Sequence, residues 1–595
     1  MKHKHYLLWL IILSGIGLAS CSDRSFLDET ETTDLTTAVI FSDSTYTVGF
    51  LSEIYREIAF DTDPGRFSSL AGRFGGLQCA SDEAEFKASS TITTDMLFAT
   101  GSVNPVIVSE DAWEKPWQNI RRANVFLANI DRSPLSDARK KIYKAEARFL
   151  RAWYYAILLR HYGGIPLIGD VVYENSDEIK TERNSFAECV DYIVSECDSV
   201  APDLVIRPSG RDYGRVGSGA CKALKSRVLL YAASALFNGG IEVPADYPKE
   251  LVAYPEYNKE RWKMAMDAAK AVIDLNAYTL FSSTKDDDPT YPVVNGFYWT
   301  FIASDKAAQG AQKEHILEYQ TGKGNYRESL FAPPSRGGNG GGFAYQGLVD
   351  AFPMVNGKSI TEEPAYDDQN PYANRDPRLY LSIVYDQHPY NDNGINTFKA
   401  VNIYLKEDGN PFDQDGVHDG TPTGYYICKM QHFYETSGSN FQGVPQARPL
   451  IRYAEILLNY AEAATEWNAP ANPPTEVYDA LKLIRKRAEI QPGSNEMYGL
   501  KENMTADEMR EVIRNERRIE LAFEGHRFFD VRRWMIAPQT DSQMMTGMEV
   551  QLKAGKKVYQ RFDVRRHVWR SAMYFWPIPY KETSKAPDMV QNPYY

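Results

Sequence analysis

Residues 137–161 set Ile142, Ala145, Phe149, Ala152, Ala156 and Leu159 at three- and four-residue intervals, the period of a helix with one apolar face. The stretch runs into Gly163-Gly164 with Pro166 beyond, which is helix-stop chemistry. The alanines on that face constrain the fold most. Small side chains let a second helix come close, and the device recurs at Ala232, Ala233 and Ala235, and at Ala265, Ala268 and Ala269. A chain patterned this way buries its apolar surface by stacking helix pairs, as tetratricopeptide arrays do. Trp113, Trp117, Ile120, Phe126 and Ile130 give a similar pattern over 110–131, and helices are predicted at 185–200, 218–238 and 260–275. No regular period of about 34 residues links them, so the repeats are degenerate.

Between about 276 and 447 the helical period nearly vanishes. Asp286-Asp287-Asp288-Pro289, a glycine-rich run from Gly337 to Gly342, and many Asn, Asp, Pro and Tyr residues take its place. Long irregular segments inside compact proteins are commonly functional, and the aromatics here argue against disorder. Helices return at 450–468, 475–489 and 505–524. The expected fold is therefore mainly α. A tetratricopeptide-like helical-pair scaffold (36–275 and 448–595) carries a large irregular, loop-rich region (276–447).

The N-terminus says where the protein works. Lys2 and Lys4 precede an apolar run from Tyr6 to Ala19, which ends in Leu18-Ala19-Ser20-Cys21. That run is shorter than the roughly 20 residues needed to span a bilayer and reads as a cleaved signal over 1–20. The small residues before Cys21 resemble a bacterial lipobox, in which the cysteine is acylated. Polar residues 21–35 then form a lipidated tether. The full-chain charge of −13 becomes −15 once Lys2 and Lys4 are removed. So acidic a chain argues against nucleic acid as a partner. The five cysteines after Cys21 form no disulfide framework, and no Cys-x-x-Cys pair points to zinc.

Catalytic signatures do not emerge. Gly357-Lys358-Ser359 ends like a phosphate loop, but Phe352 stands where its first glycine belongs. The Asp408–Gly420 stretch holds Asp413, Asp415 and Asp419, yet Gly416 falls too early for a calcium loop and the stretch reads as a solvated acidic loop. A two-carboxylate glycosidase has no local signature and stays open on sequence alone. No cofactor and no metal is implied.

The strongest signals lie near the C-terminus. Residues 448–464 read RPLIRYAEILLNYAEAA, 514–534 read RNERRIELAFEGHRFFDVRRW, and 575–595 read FWPIPYKETSKAPDMVQNPYY. With EARFLRAWYYAILLRHYGGIPLI at 146–168 and LVDAFPMVNGKSI at 348–360, they closely resemble the SusD/RagB family of outer-membrane nutrient-binding lipoproteins. The resemblance departs at Tyr594, where the family usually has a glycine, and near Ala586-Pro587, which lacks the usual Asn. It implies a non-catalytic surface lipoprotein, anchored in the outer membrane and facing out. Such a protein captures oligosaccharide and passes it to a SusC-like TonB-dependent transporter. A peptide-binding RagB-like role is the alternative.

Physically, most of these motifs read as architecture. Thr505 and Glu508 form a capping box. Arg452 and Glu455 sit within pairing reach, Arg514 can meet Glu511 or the turn of Glu516, and Arg517 can meet Glu520 or Glu524. Glu462 and Glu466 fall on the wetter side, and Gly525 closes the helix. The density of Arg and Glu suggests an ion-pair network at a helix junction. A sugar binder needs aromatic platforms with a few fixed polar groups. The candidates are Tyr291, Tyr298 and Trp299, then Tyr326, Arg336, Asn339 and Tyr345. As a platform, Trp299 should be removable without loss of fold. The family resemblance adds the stretch holding Asp82, Glu83 and Glu85.

Overall fold

The computed structural model describes residues 36–60, 76–86, 93–174, 176–282, 295–302, 311–323, 326–392, 397–434 and 445–595. The predicted helices form close to their expected bounds. α1 (Ser44–Arg56) is followed by α2 (Asp111–Asn129), α3 (Asp137–Tyr162), α4 (Phe186–Val200), α5 (Ser218–Ala233) and α6 (Glu260–Ile273). α7 (Tyr453–Asn468), α8 (Thr475–Arg487) and α9 (Ala506–Glu520) complete the scaffold.

Each helix from α2 to α6 packs on the next, and α6 packs on α7. The third helical pair is therefore split: its second helix arrives only after the irregular region. The two pairs before the insertion already start about 75 residues apart, at Asp111 and Phe186, so no period near 34 residues shows in the sequence. Small residues do the predicted work. Ala145, Ala152, Ala232, Ala233, Ala265 and Ala269 are buried, and α5 is enclosed on nearly all sides, touching α4, α6 and α7. α3 ends where predicted, at Gly163 with φ of 79°. A side chain there would meet the Leu251 carbonyl at 2.7 Å.

Three boundaries differ from expectation. Residues 450–452 belong to a strand, because Pro445–Arg452 pairs antiparallel with His315–Lys323 before α7 begins. α5 stops at Ala233, where Ser234 turns its hydroxyl back onto the Leu230 carbonyl. α9 stops at Glu520, and the chain turns through Phe523 at φ 61° before Gly525 at φ 80°. A hairpin also appears that periodicity did not reveal. Met544–Lys553 and Lys556–Arg566 pair across a turn at Ala554-Gly555, both with positive φ.

The irregular region holds only short helices and two-stranded sheets among its described residues. It has its own cores. One gathers Phe297, Trp299, Tyr390, Tyr426 and Phe433, and a second gathers Leu330, Leu348, Phe352 and Ile383 with Ile519 from α9. The segment Ala84–Phe86 reaches in from the N-terminal side and pairs with Gly342–Ala344.

Buried charge fastens region to scaffold. Arg452 donates to Glu314 at 2.9 Å, to Glu520 at 2.6 Å and to Glu524 at 2.7 Å. Arg378 bonds Asp376 at 2.7 Å, Glu516 at 2.7 Å and Glu520 at 2.9 Å. Arg485 and Arg487 enter from α8 onto Glu516, Glu314 and Glu520. The expected junction network exists, but several partners differ. Glu455 takes Arg227 rather than Arg452. Arg517 bonds Asp530 and Asn459. Glu462 is buried, accepting from Arg533 and from the Trp534 indole. The Arg514–Glu511 pair and the Thr505 capping box form as read.

Candidate ligand-binding face

The sequence candidates separate by burial. Cys21 and Tyr291 lie outside the described residues, and Tyr326 opens a short helix, Tyr326–Phe331. Tyr298 and Trp299 sit in the helix Gly296–Phe301, which Asn295 caps through its side chain. They are 3% and 2% exposed. Tyr298 meets Trp299, Phe433 and Tyr434 edge-on, with centroids 5.1–5.5 Å apart. In this structure they are core, not an open platform. The same run of aromatics that suits stacking on a sugar also suits closing a small core.

Tyr345 is buried as well. Its hydroxyl donates to Glu85 at 2.8 Å and lies 3.1 Å from His567 Nε2. Asp82 is held by Arg527 at 2.7 Å and Arg518 at 2.8 Å. Burial opposes its charge, but the two guanidiniums more than offset this and hold the carboxyl well below the usual range. These residues tie the Ser81–Phe86 segment to α9 and the C-terminal region. Glu83 between them is different. Both of its carboxylate oxygens are buried without a hydrogen bond, and burial pushes it up to about 8, with Asp82 raising it and Arg527 opposing.

Arg336 is also mostly covered. It donates to the carbonyls of Lys399 at 3.1 Å and Ala400 at 3.0 Å, which straps the 334–341 turn onto the 398–416 loop. The Ser335 N–H reinforces this by donating to Asp415 at 2.9 Å. Asn339, on the same turn, is exposed, so among the candidates with described side chains it is the one open to a ligand. Sequence reasoning singled out neither Tyr404 nor Phe412. They occupy the neighbouring loop, Tyr404 half-buried and Phe412 47% exposed. Nothing in periodicity marks a lone Phe between Pro411 and Asp413. Two carboxylates of this loop brace its own backbone with one oxygen each: Asp408 accepts from the Asn410 N–H, and Asp413 from the Asp415 N–H.

Elsewhere, a groove of about 740 Å³ opens on the scaffold, lined by Trp113 and Trp117 of α2, Ile168, Val171 and Ile179, and Met589. Exposed Tyr580 and Val590 lie beside its lining residues, on the same short helix or next in the chain, and the Tyr580 N–H donates to the Pro105 carbonyl, which brings exposed Val106 alongside. Among the described residues no helix is long and apolar enough to cross a membrane.

Comparison with known proteins agrees with this architecture. Residues 301–595 match the SusD family, and residues 78–230 match a family described as starch-binding and associating with the outer membrane. SusD-like protein P2 of Formosa agariphila is 30% identical over 167 residues, so the chain spans 28% of that relative's length. A SusD-like protein of Bacteroides fragilis superposes with a TM-score of 0.73 at 25% identity, covering 93% of this chain and 98% of the other. A SusD-like carbohydrate binding protein of the same species superposes with a TM-score of 0.70 at 22% identity, over 93% of this chain and 100% of the other. The split helical scaffold, the insertion it carries and the two family matches agree: the chain belongs to the SusD family of non-catalytic binding proteins.

Proposed function

We propose that the protein captures an oligosaccharide outside the cell without cleaving it and delivers it to a SusC-like TonB-dependent transporter, held at the outer membrane by acylation of Cys21. The observation that carries this reading is the match of residues 78–230 to a starch-binding, outer-membrane-associated family, continued by the SusD match over 301–595. The Bacteroides fragilis neighbour described as a carbohydrate binding protein supports the ligand class. The lipobox at Leu18–Cys21 supports the anchor. The exposed apolar residues around the scaffold groove support a large partner surface, since such patches mark interaction sites.

Calorimetry against a panel of oligosaccharides, with product analysis after long incubation, tests the core of the proposal. Binding without cleavage is expected. Turnover by the purified protein contradicts it, and tight binding of peptides with none of glycans transfers the role to peptide capture. The anchor is tested by Cys21→Ala, which should release the protein from membranes when the transporter is absent.

A further inference from the structure

We infer that Phe412 is a sugar-stacking ring of the ligand face, presented by a stack with Tyr404 and Lys557 and flanked by a polar edge of Gln387, Asn402 and Asp413. The inference rests on the oligosaccharide reading above. Single exposed apolar side chains are ordinary, so the argument turns on how this one is held. The Phe412 N–H donates to the Tyr404 carbonyl at 3.1 Å. Its ring packs on that of Tyr404 with centroids 4.7 Å apart and planes tilted by 30°. The Lys557 ammonium sits 4.0 Å from the Tyr404 centroid and is anchored by Asp386 at 2.6 Å. Phe412 is thus fixed before any ligand arrives, and a pre-ordered ring loses little entropy on binding.

The polar edge is equally fixed. Asn402 Nδ2 donates to Asp413 at 3.3 Å, and Gln387 Nε2 donates to the Asn402 side-chain oxygen Oδ1 at 3.0 Å. This hydrogen-bonded chain meets the ring through Asp413, the residue after Phe412, and carboxamides and a carboxylate near an aromatic ring suit a pyranose, whose CH face stacks while its hydroxyls bond at the rim. The surroundings disfavour a protein partner. Glu407, Asp408, Gly409 and Asn410 are exposed and mostly polar, so the apolar patch is little more than the one ring, whereas a stable protein interface buries on the order of 1,000 Å² or more. The exposed Asn339 lies on the adjoining turn, strapped to this loop through Ser335 and Arg336.

The test is calorimetry of the full chain and of Phe412→Ala, Phe412→Trp and Asn402→Ala, using the oligosaccharide that the wild type binds best, with melting curves alongside. Phe412→Ala should weaken binding by about tenfold or more with little change in melting temperature. Phe412→Trp should keep the affinity, and Asn402→Ala should weaken it. If the wild type binds and Phe412→Ala binds within about twofold of it, the assignment to Phe412 is wrong while the oligosaccharide reading stands. If both Phe412 variants lose binding and melt early, the ring is structural and the assignment is again wrong. If the wild type binds no oligosaccharide, the reading beneath the inference fails.

Discussion

The scaffold and the insertion solve the same problem in different ways. Both must bury polar backbone, and each buried carbonyl and amide needs a partner. In the scaffold the helices supply those partners themselves, and apolar faces with alanines at the contacts close the core. The insertion has little regular structure to do this, and long cationic side chains take over. Arg375 donates to the carbonyls of Pro371 at 2.7 Å, Val349 at 2.6 Å and Phe352 at 2.6 Å. Lys429 reaches the carbonyls of Glu520 at 2.8 Å and Ala522 at 2.9 Å, at and just beyond the end of α9. A loop-rich region can therefore be rigid without being regular. Its shape hangs on a few buried charges, whereas in the scaffold many apolar contacts share the load.

That contrast sets the expected size of substitutions. The largest loss should follow Arg378→Ala, which takes from Asp376 its ion-pair partner in a fully buried site and removes one guanidinium each from Glu516 and Glu520. Removing one partner of such a network typically costs about 3–5 kcal/mol, readable by urea denaturation. A loss below about 1 kcal/mol would mean that the network contributes little and the contrast is misplaced.

Trp299→Ala comes next, at about 3 kcal/mol, because it opens a cavity in the insertion's own core. This replaces the expectation of an intact fold drawn from treating Trp299 as a platform. An unchanged melting temperature would restore the platform reading.

Glu83→Gln should act in the opposite direction, and by less, since a buried amide must also find partners. With its folded value near 8 and an unfolded value near the usual carboxylate range, Glu83 is protonated in the fold while the unfolded chain is ionised. Its contribution to stability is complete at low pH and is lost as pH rises towards 8. The glutamine variant should gain stability relative to wild type at pH 8 and show no such gain at pH 4. Equal differences at both values would show that Glu83 is not the buried acid described.

Thr505→Ala, in the scaffold, should cost only about 1 kcal/mol through loss of the α9 cap. A cost matching that of Arg378→Ala would erase the distinction between the two regions.

The same contrast decides what could be read from sequence. Helices such as 137–162 were legible because periodicity is a local signal repeated over several turns. The split of the α6–α7 pair was not, since it joins residues nearly 200 positions apart. The hairpin at 544–566 left a faint trace in the Ala554-Gly555 turn, with only partial alternation in its strands. In the insertion, burial depends on which distant segment covers a side chain. Tyr298 and Trp299 therefore read the same whether they form a core or a platform, and Arg336 could not be seen as a strap for carbonyls more than 60 residues away. Phe412 stood alone in an acidic stretch and gave no pattern.

The central claim is that the insertion, not the scaffold, carries the ligand face. Hydrogen exchange read by mass spectrometry, with and without a bound oligosaccharide, tests it most directly. The account predicts slowed exchange in the 334–341 turn and the 398–416 loop, with α2 and the scaffold groove unchanged. Protection confined to residues 113–121 and 166–181, with none in the insertion, would contradict it.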